Sequence, residues 1–181
     1  MRCLSFVAGD EFFAVDVTLV QKVARKMTVT PVPTAPDEIV GIANIKGRVV
    51  TILSLCELLG RKKNRAGDLI NTVDAVVFKP FSGSDQIGLV IDKPGNLIDI
   101  DDGAVSQLSL KTTAATAAAG LGLGLEESFC ISGIAEVGNR IYRIISIDSI
   151  IAKYKHTGEK AANTNTNNNT MLNGGGNEND G

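Results

Sequence analysis

The chain carries little of what catalysis needs. It has one histidine, His156, beside a stretch dominated by Asn, Thr and Gly, and no His-Glu-x-x-His or Gly-x-Ser-x-Gly pattern. No familiar arrangement of nucleophile and base can be assembled from these parts. The three cysteines, Cys3, Cys56 and Cys130, are scattered without a Cys-x-x-Cys spacing. An odd, dispersed set reads as reduced, buried thiols in a cytoplasmic protein and not as a disulfide framework or zinc site. Gly120-Leu-Gly-Leu-Gly124 lacks phosphate-loop spacing, and Glu126 and Glu127 put negative charge where a phosphate would sit. Asp99, Asp101 and Asp102 lack the longer register of a calcium loop and read as a solvated turn. No cofactor or metal is expected.

Two further shortages bound the class. No apolar run approaches the roughly 20 residues of a membrane span, and the opening reaches Asp10-Glu11 without a signal-peptide core. A cytoplasmic location is the expectation. The net charge is −2, and the one basic cluster, Arg61-Lys62-Lys63-Asn64-Arg65, reads as a solvated loop after a helix. Nucleic-acid binding is therefore not expected. With 44% hydrophobic residues over 181 positions, the chain can bury a core as one globular unit or two small ones.

What the sequence does contain is a repeat. Gly41-Ile-Ala-Asn-Ile-Lys-Gly-Arg-Val-Val-Thr-Ile-Leu-Ser54 lies over Gly133-Ile-Ala-Glu-Val-Gly-Asn-Arg-Ile-Tyr-Arg-Ile-Ile-Ser146 at a constant offset, with Gly, Ile, Ala, Arg, Ile and Ser identical. Each copy reads as strand, tight turn, strand, then a short segment with Leu or Ile pairs at helical spacing. A lone hairpin cannot bury two apolar strands, so each copy should belong to its own small sheet or barrel. Ile42 with Ile134, and Ile52 with Ile144, are predicted to be equivalent core positions. The lobes are placed at about residues 1–66 and 67–154.

In chain order, Leu4–Ala8 and Phe12–Val17 read as an opening hairpin joined by Gly9-Asp10-Glu11. Residues 18–26 fit a short helical turn or a bent edge strand equally well. Pro31, Pro33 and Pro36 remove backbone donors and hold 30–36 extended, as a segment that can rim a sheet but not lie inside one. Leu69–Phe78 and Ile87–Asp92 read as strands, with Lys93-Pro-Gly-Asn96 as a break before Leu97–Ile100. Phe13–Val23 weakly answers Gly88–Ile98. Residues 111–125 are too rich in Gly for a continuous helix and read as a mobile insertion. The composition of 155–181 offers too little apolar surface to offset ordering, which predicts a disordered tail.

Thr30-Pro-Val-Pro-Thr-Ala-Pro36, running into Gly41-Ile-Ala-Asn-Ile-Lys-Gly-Arg48, closely resembles the CheW-like domain, in which T-P-V-P-x-A-P precedes G-x-x-N-L-R-G-x-x-x-P. The resemblance extends to the opening hairpin, to Ile87–Asp92 as the family's G-L-x-V-D strand, and to Gly133–Ile151, covering about residues 3–154. It implies a mainly β fold of two SH3-like five-stranded barrels about a pseudo-twofold, with short helices. It also implies a non-catalytic adaptor coupling transmembrane chemoreceptors to the regulatory domain of a CheA-type histidine kinase at membrane receptor arrays. The alternatives are the same scaffold in a non-chemotactic chemosensory pathway such as twitching motility, and, from another class, a ligand-binding or enzymatic double barrel. Lys46 stands where the family usually has Arg, Lys22 where it has Glu, Thr51 where it has Pro, and Ser54 and Ser146 where it has Asp. These departures bear on partner specificity more than on fold. The protein-contact residues are expected at the rim, Pro31, Val32, Pro33 and Pro36. The turn, Asn44, Lys46, Gly47 and Arg48, and a groove between lobes beginning at Val90 and Asp92, complete the set.

Overall fold

In the computed structural model the described residues are 1–61, 72–81, 86–101, 103, 105–107 and 129–154. The insertion at 111–125 and the tail at 155–181 lie outside them. Eleven strands are described. They are β1 (Arg2–Ala8), β2 (Glu11–Asp16), β3 (Val20–Thr28), β4 (Ile39–Ile45), β5 (Arg48–Ser54) and β6 (Thr72–Phe78). β7 (Ile87–Ile91), β8 (Lys93–Asp99), β9 (Val105–Gln107), β10 (Ile131–Val137) and β11 (Arg140–Ile145) follow. A 3-10 turn over Val17–Leu19 leads into β3, so residues 18–26 combine both forms that the sequence allowed.

The strands make two curled, SH3-like sheets. One has the order β8-β1-β2-β11-β10-β9 and the other β3-β6-β7-β5-β4. Read from β8 and from β3, five successive strands correspond, as a pseudo-twofold requires. In each, the repeat hairpin joins another antiparallel pair of strands through one parallel contact, β11 to β2 and β5 to β7. The strand order corrects the division expected near residues 66 and 67. The opening hairpin β1–β2 completes the sheet of the second repeat copy, while β6 and β7 complete the sheet of the first. The physical cause is the open flank of each repeat hairpin, which leaves backbone groups that a further strand must satisfy.

The repeat is realised in register. β4 and β5 pair with a bulge between Ile39 and Gly41, and β10 and β11 with a bulge between the corresponding Ile131 and Gly133. Bulges of this kind re-aim side chains at fixed positions and belong to the design of a sheet. Val49 and Ile141, which correspond, are both left 59–60% exposed. Ile52 and Ile144 are buried as expected. Ile42 is not: it is 38% exposed and Ile134 half-buried, because strand alternation turns Gly41, Ala43 and Ile45 inward and Ile42 outward. The weaker match was also displaced by one residue. Strand pairing sets Phe13 opposite Arg143 and Ile87 opposite the corresponding Thr51, so Phe13 answers Ile87 and not Gly88.

Two local expectations change. The opening hairpin turns through two residues, Gly9 and Asp10, with Gly9 at φ +63° and Ala8 paired to Glu11. Lys93–Asn96 does not break the chain but begins β8, an edge strand where proline is tolerated. Gly95 passes so close to β1 that an added Cβ would sit 2.4 Å from Ser5 Oγ. The Ser5 hydroxyl fills the irregular pairing there, donating to Asn96 O and accepting from Asn96 N–H.

The second sheet buries Val29, Ala43, Ile45, Val50, Ile52, Val73, Ala75 and Val77. The first buries Cys3, Ala14, Ile100, Ala135, Tyr142 and Ile144. Each repeat copy ends in a helix, α1 (Leu55–Leu58) and a helical segment over 147–154. Ser54 accepts the Glu57 N–H as the α1 cap, the role an Asp would fill, so its departure from the family pattern is structurally conservative. Met1–Ser146 form one compact unit, and the remainder begins with the second helix. Among the described residues no helix is long and apolar enough to cross a membrane, and no group of metal-ligating side chains gathers.

Candidate functional site

The β4–β5 turn is built for rigidity. Ile45 pairs with Arg48, so two residues turn the chain, and both have positive φ, +51° at Lys46 and +81° at Gly47. This is the turn whose twist matches a hairpin, and it normally demands Asn or Gly at its first central position. Lys46 occupies that position despite its Cβ. Asn44 Oδ1 accepts the Gly47 N–H at 2.9 Å and fastens the turn from one side. Asn44, Lys46, Gly47 and Arg48 are all exposed.

Beside the turn lies a cleft of about 440 Å³, lined by Gln21, Lys22, Ile45, Lys46, Arg48 and Gln86. Its floor is polar. Gln86 is only 3% exposed, and its Nε2 donates to Gln21 Oε1 at 2.6 Å and to Phe78 O at 2.7 Å. Its backbone carbonyl accepts from Thr51 N–H, which fixes the start of β7 against β5. Buried amides are placed by such bonds, since an unsatisfied one would cost about 1–3 kcal/mol. Ile45 is the apolar wall, and Lys22, Lys46 and Arg48 are the three cations.

The proline segment lies close to the same hairpin in the chain. Thr30 exchanges two backbone bonds with Ile42, at 2.8 and 2.9 Å, anchoring the start of the segment on β4. Gly41 is required there: it has φ +153°, and a Cβ would come within 2.3 Å of Thr30 O. Pro31, Val32, Pro33 and Pro36 are exposed. An Ala35 N–H to Val32 O bond and an Ile39 N–H to Pro36 O bond shape the segment.

Val90 and Asp92 are not among the described residues that line the cleft. Val90 pairs with Ser54 at the far end of β5, about 20 Å from Arg48 at ~3.3 Å per strand residue. It packs half-buried against the core of the second sheet. Asp92 is exposed, and its Oδ2 accepts the Gly9 N–H at 2.6 Å while its own N–H donates to Val7 O. It thus ties the crossing between β7 and β8 to the opening hairpin. Nearby, Glu11 receives Arg143 Nη1 at 2.6 Å on one oxygen and Arg61 on the other. One carboxylate joins β2 and β11 of the first sheet to the segment after α1.

The sequence singles out the turn and rim and marks Lys22 as a departure from the family pattern, but it does not point to Gln21 and Gln86, which line the cleft. One signal was available: Gln86 is a polar side chain directly before an apolar run, and strand pairing sets it at the register position that Phe12 holds within β2.

A family model described as the CheW-like domain matches residues 2–155. The chain is 24% identical to a chemotaxis protein CheW of Rhizobium meliloti over 147 residues, covering 81% of this chain and 84% of that protein. It is also 24% identical to a chemotaxis protein CheW of Klebsiella aerogenes over 149 residues, covering 82% and 80%. Among solved structures, the scaffolding protein CheW of Thermoanaerobacter tengcongensis is similar in fold. Its TM-score is 0.63 at 20% identity, over 81% of this chain and 88% of that one. The chain belongs to the CheW-like domain family.

Proposed function

We propose that this protein is a non-catalytic adaptor that couples chemoreceptors to a CheA-type histidine kinase in chemotaxis signalling. The observation that carries the reading is the exposed, doubly positive-φ turn at Lys46-Gly47, held by Asn44, with the proline segment exposed toward the other end of β4. An adaptor must present contact surface that is already ordered, because ordering it on binding would subtract from affinity. The family relationship and the names of the similar proteins support the pathway. The contact residues in this reading are Pro31, Val32, Pro33, Pro36, Asn44, Lys46, Gly47 and Arg48. Asp92 and Val90 shape the fold around them, through the Gly9 bond and the core of the second sheet.

The test is reconstitution of a complex from the purified chain, the regulatory domain of a CheA-type kinase and the cytoplasmic tip of a chemoreceptor from the same genome. Co-elution of all three, dependent on this chain, is the expected result. Failure to retain either partner at micromolar concentrations would overturn the reading.

A further inference from the structure

We propose that the cleft beside the β4–β5 turn docks an acidic polypeptide segment, one that presents two or more carboxylates to Lys22, Lys46 and Arg48. The proposal rests on the adaptor reading and gives the chemistry of the partner at that surface. Of the six described lining residues none is acidic, and three are cations. Lys22 comes from β3 and Lys46 and Arg48 from the β4–β5 hairpin, so the positive charge is contributed by separate elements of the sheet. Carboxylates suit these groups: a guanidinium offers a two-pronged donor set and each ammonium three donors. The oriented Gln86 amide and the Ile45 side chain give the floor a fixed mixture of polar and apolar contact. A cleft of this size admits a few side chains of a segment laid across it.

The repeat supplies an internal control. At the corresponding corner of the first sheet, Phe12 replaces Gln86, Asn96 replaces Lys22 and Gly138 replaces Lys46. Only Arg140 remains, the counterpart of Arg48, and its guanidinium lies 5.0 Å from the centre of the Phe12 ring. The same backbone corner is thus basic and open in one sheet and aromatic with a single engaged cation in the other. A general need for solubility would not charge one corner and fill its counterpart.

The experiment titrates the full chain, labelled with nitrogen-15, with a peptide of alternating Glu and Ala carrying four Glu, and with its Gln counterpart. The expected result is amide shifts centred on Lys22, Lys46, Arg48 and Gln86 with the Glu peptide alone. Added salt should weaken the binding, because the attraction is between solvent-exposed charges. Lys22→Glu should weaken it by about tenfold or more, and Arg140→Glu should leave it within about twofold. Equal binding of the Gln peptide, shifts centred elsewhere, or equal losses from the two substitutions would overturn the proposal. The two readings fail separately. Capture of kinase and receptor that is indifferent to Lys22→Glu removes the acidic-segment proposal and leaves the adaptor. Binding of the Glu peptide without capture of either partner does the reverse.

Discussion

Two corners of the molecule share a backbone and differ in what fills them. In the first sheet, Phe12 packs at 5.8 Å against Tyr142, with Arg140 above its ring, and the corner is occupied by the protein's own side chains. In the second, Gln86 and Val50 take the places of Phe12 and Tyr142, and a basic cleft opens. The duplicated backbone supplies the rigid hairpin twice. A few side chains decide which copy packs and which leaves a basic cleft. On the proposed reading, function resides in the departures from the repeat, while stability resides in what the two copies keep.

The kept positions carry the largest expected effects. Ile52→Ala and Ile144→Ala should each cost about 2–5 kcal/mol in denaturant unfolding, the range for buried aliphatic deletions. The outward-turned Ile42→Ala should cost less than about 1 kcal/mol. A loss at Ile42 matching that at Ile52 would contradict the alternation that separates them. Phe12→Ala should cost about 1–3 kcal/mol, since the ring is half-buried and loses both its aromatic and its cationic neighbour. No cost would show that the first corner is not closed by packing. Glu11→Gln should cost about 1–2 kcal/mol, less than a fully buried ion pair because all three partners retain some exposure. That cost should shrink in high salt, which a comparison of unfolding curves at two ionic strengths reads directly.

Smallest is Lys46→Gly. Removing a Cβ from a residue at φ +51° should raise stability by up to about 1 kcal/mol. The same change should weaken partner binding, because it deletes one of the cleft's cations. Opposite signs for stability and binding would mark Lys46 as held in place for contact. A loss of both would mean that the lysine serves the fold.

Much of this was legible in the sequence, and the reasons for the rest are physical. The repeat copies, their turns and their helices follow from periodicity and from Gly47, and the structure keeps their register down to the matching bulges. Lobe membership was not legible, because strand exchange between β1–β2 and β6–β7 is set by long-range pairing that leaves no local mark. Ile42 misled for a simpler reason: conserved identity between the copies does not say which face a strand residue takes. Lys93–Asn96 read as a break because Pro94 and Gly95 are usually breakers, whereas an edge strand with Ser5 filling its gap accommodates both. The cleft was half legible. Lys46 and Arg48 stand in the turn motif, but Gln21 and Gln86 meet them only after β3 and β7 have folded into the same sheet.

The central claim is that the second sheet's corner is where this chain holds its partners. Titration calorimetry with the kinase regulatory domain and the receptor tip tests it directly, using wild type, Lys46→Glu, Arg48→Glu and Arg140→Glu. The account predicts that each of the first two substitutions weakens at least one partner by about 1–3 kcal/mol, with Arg140→Glu unchanged and all variants folded by circular dichroism. Unchanged affinity for both partners in Lys46→Glu and Arg48→Glu, in chains that still fold, would contradict it.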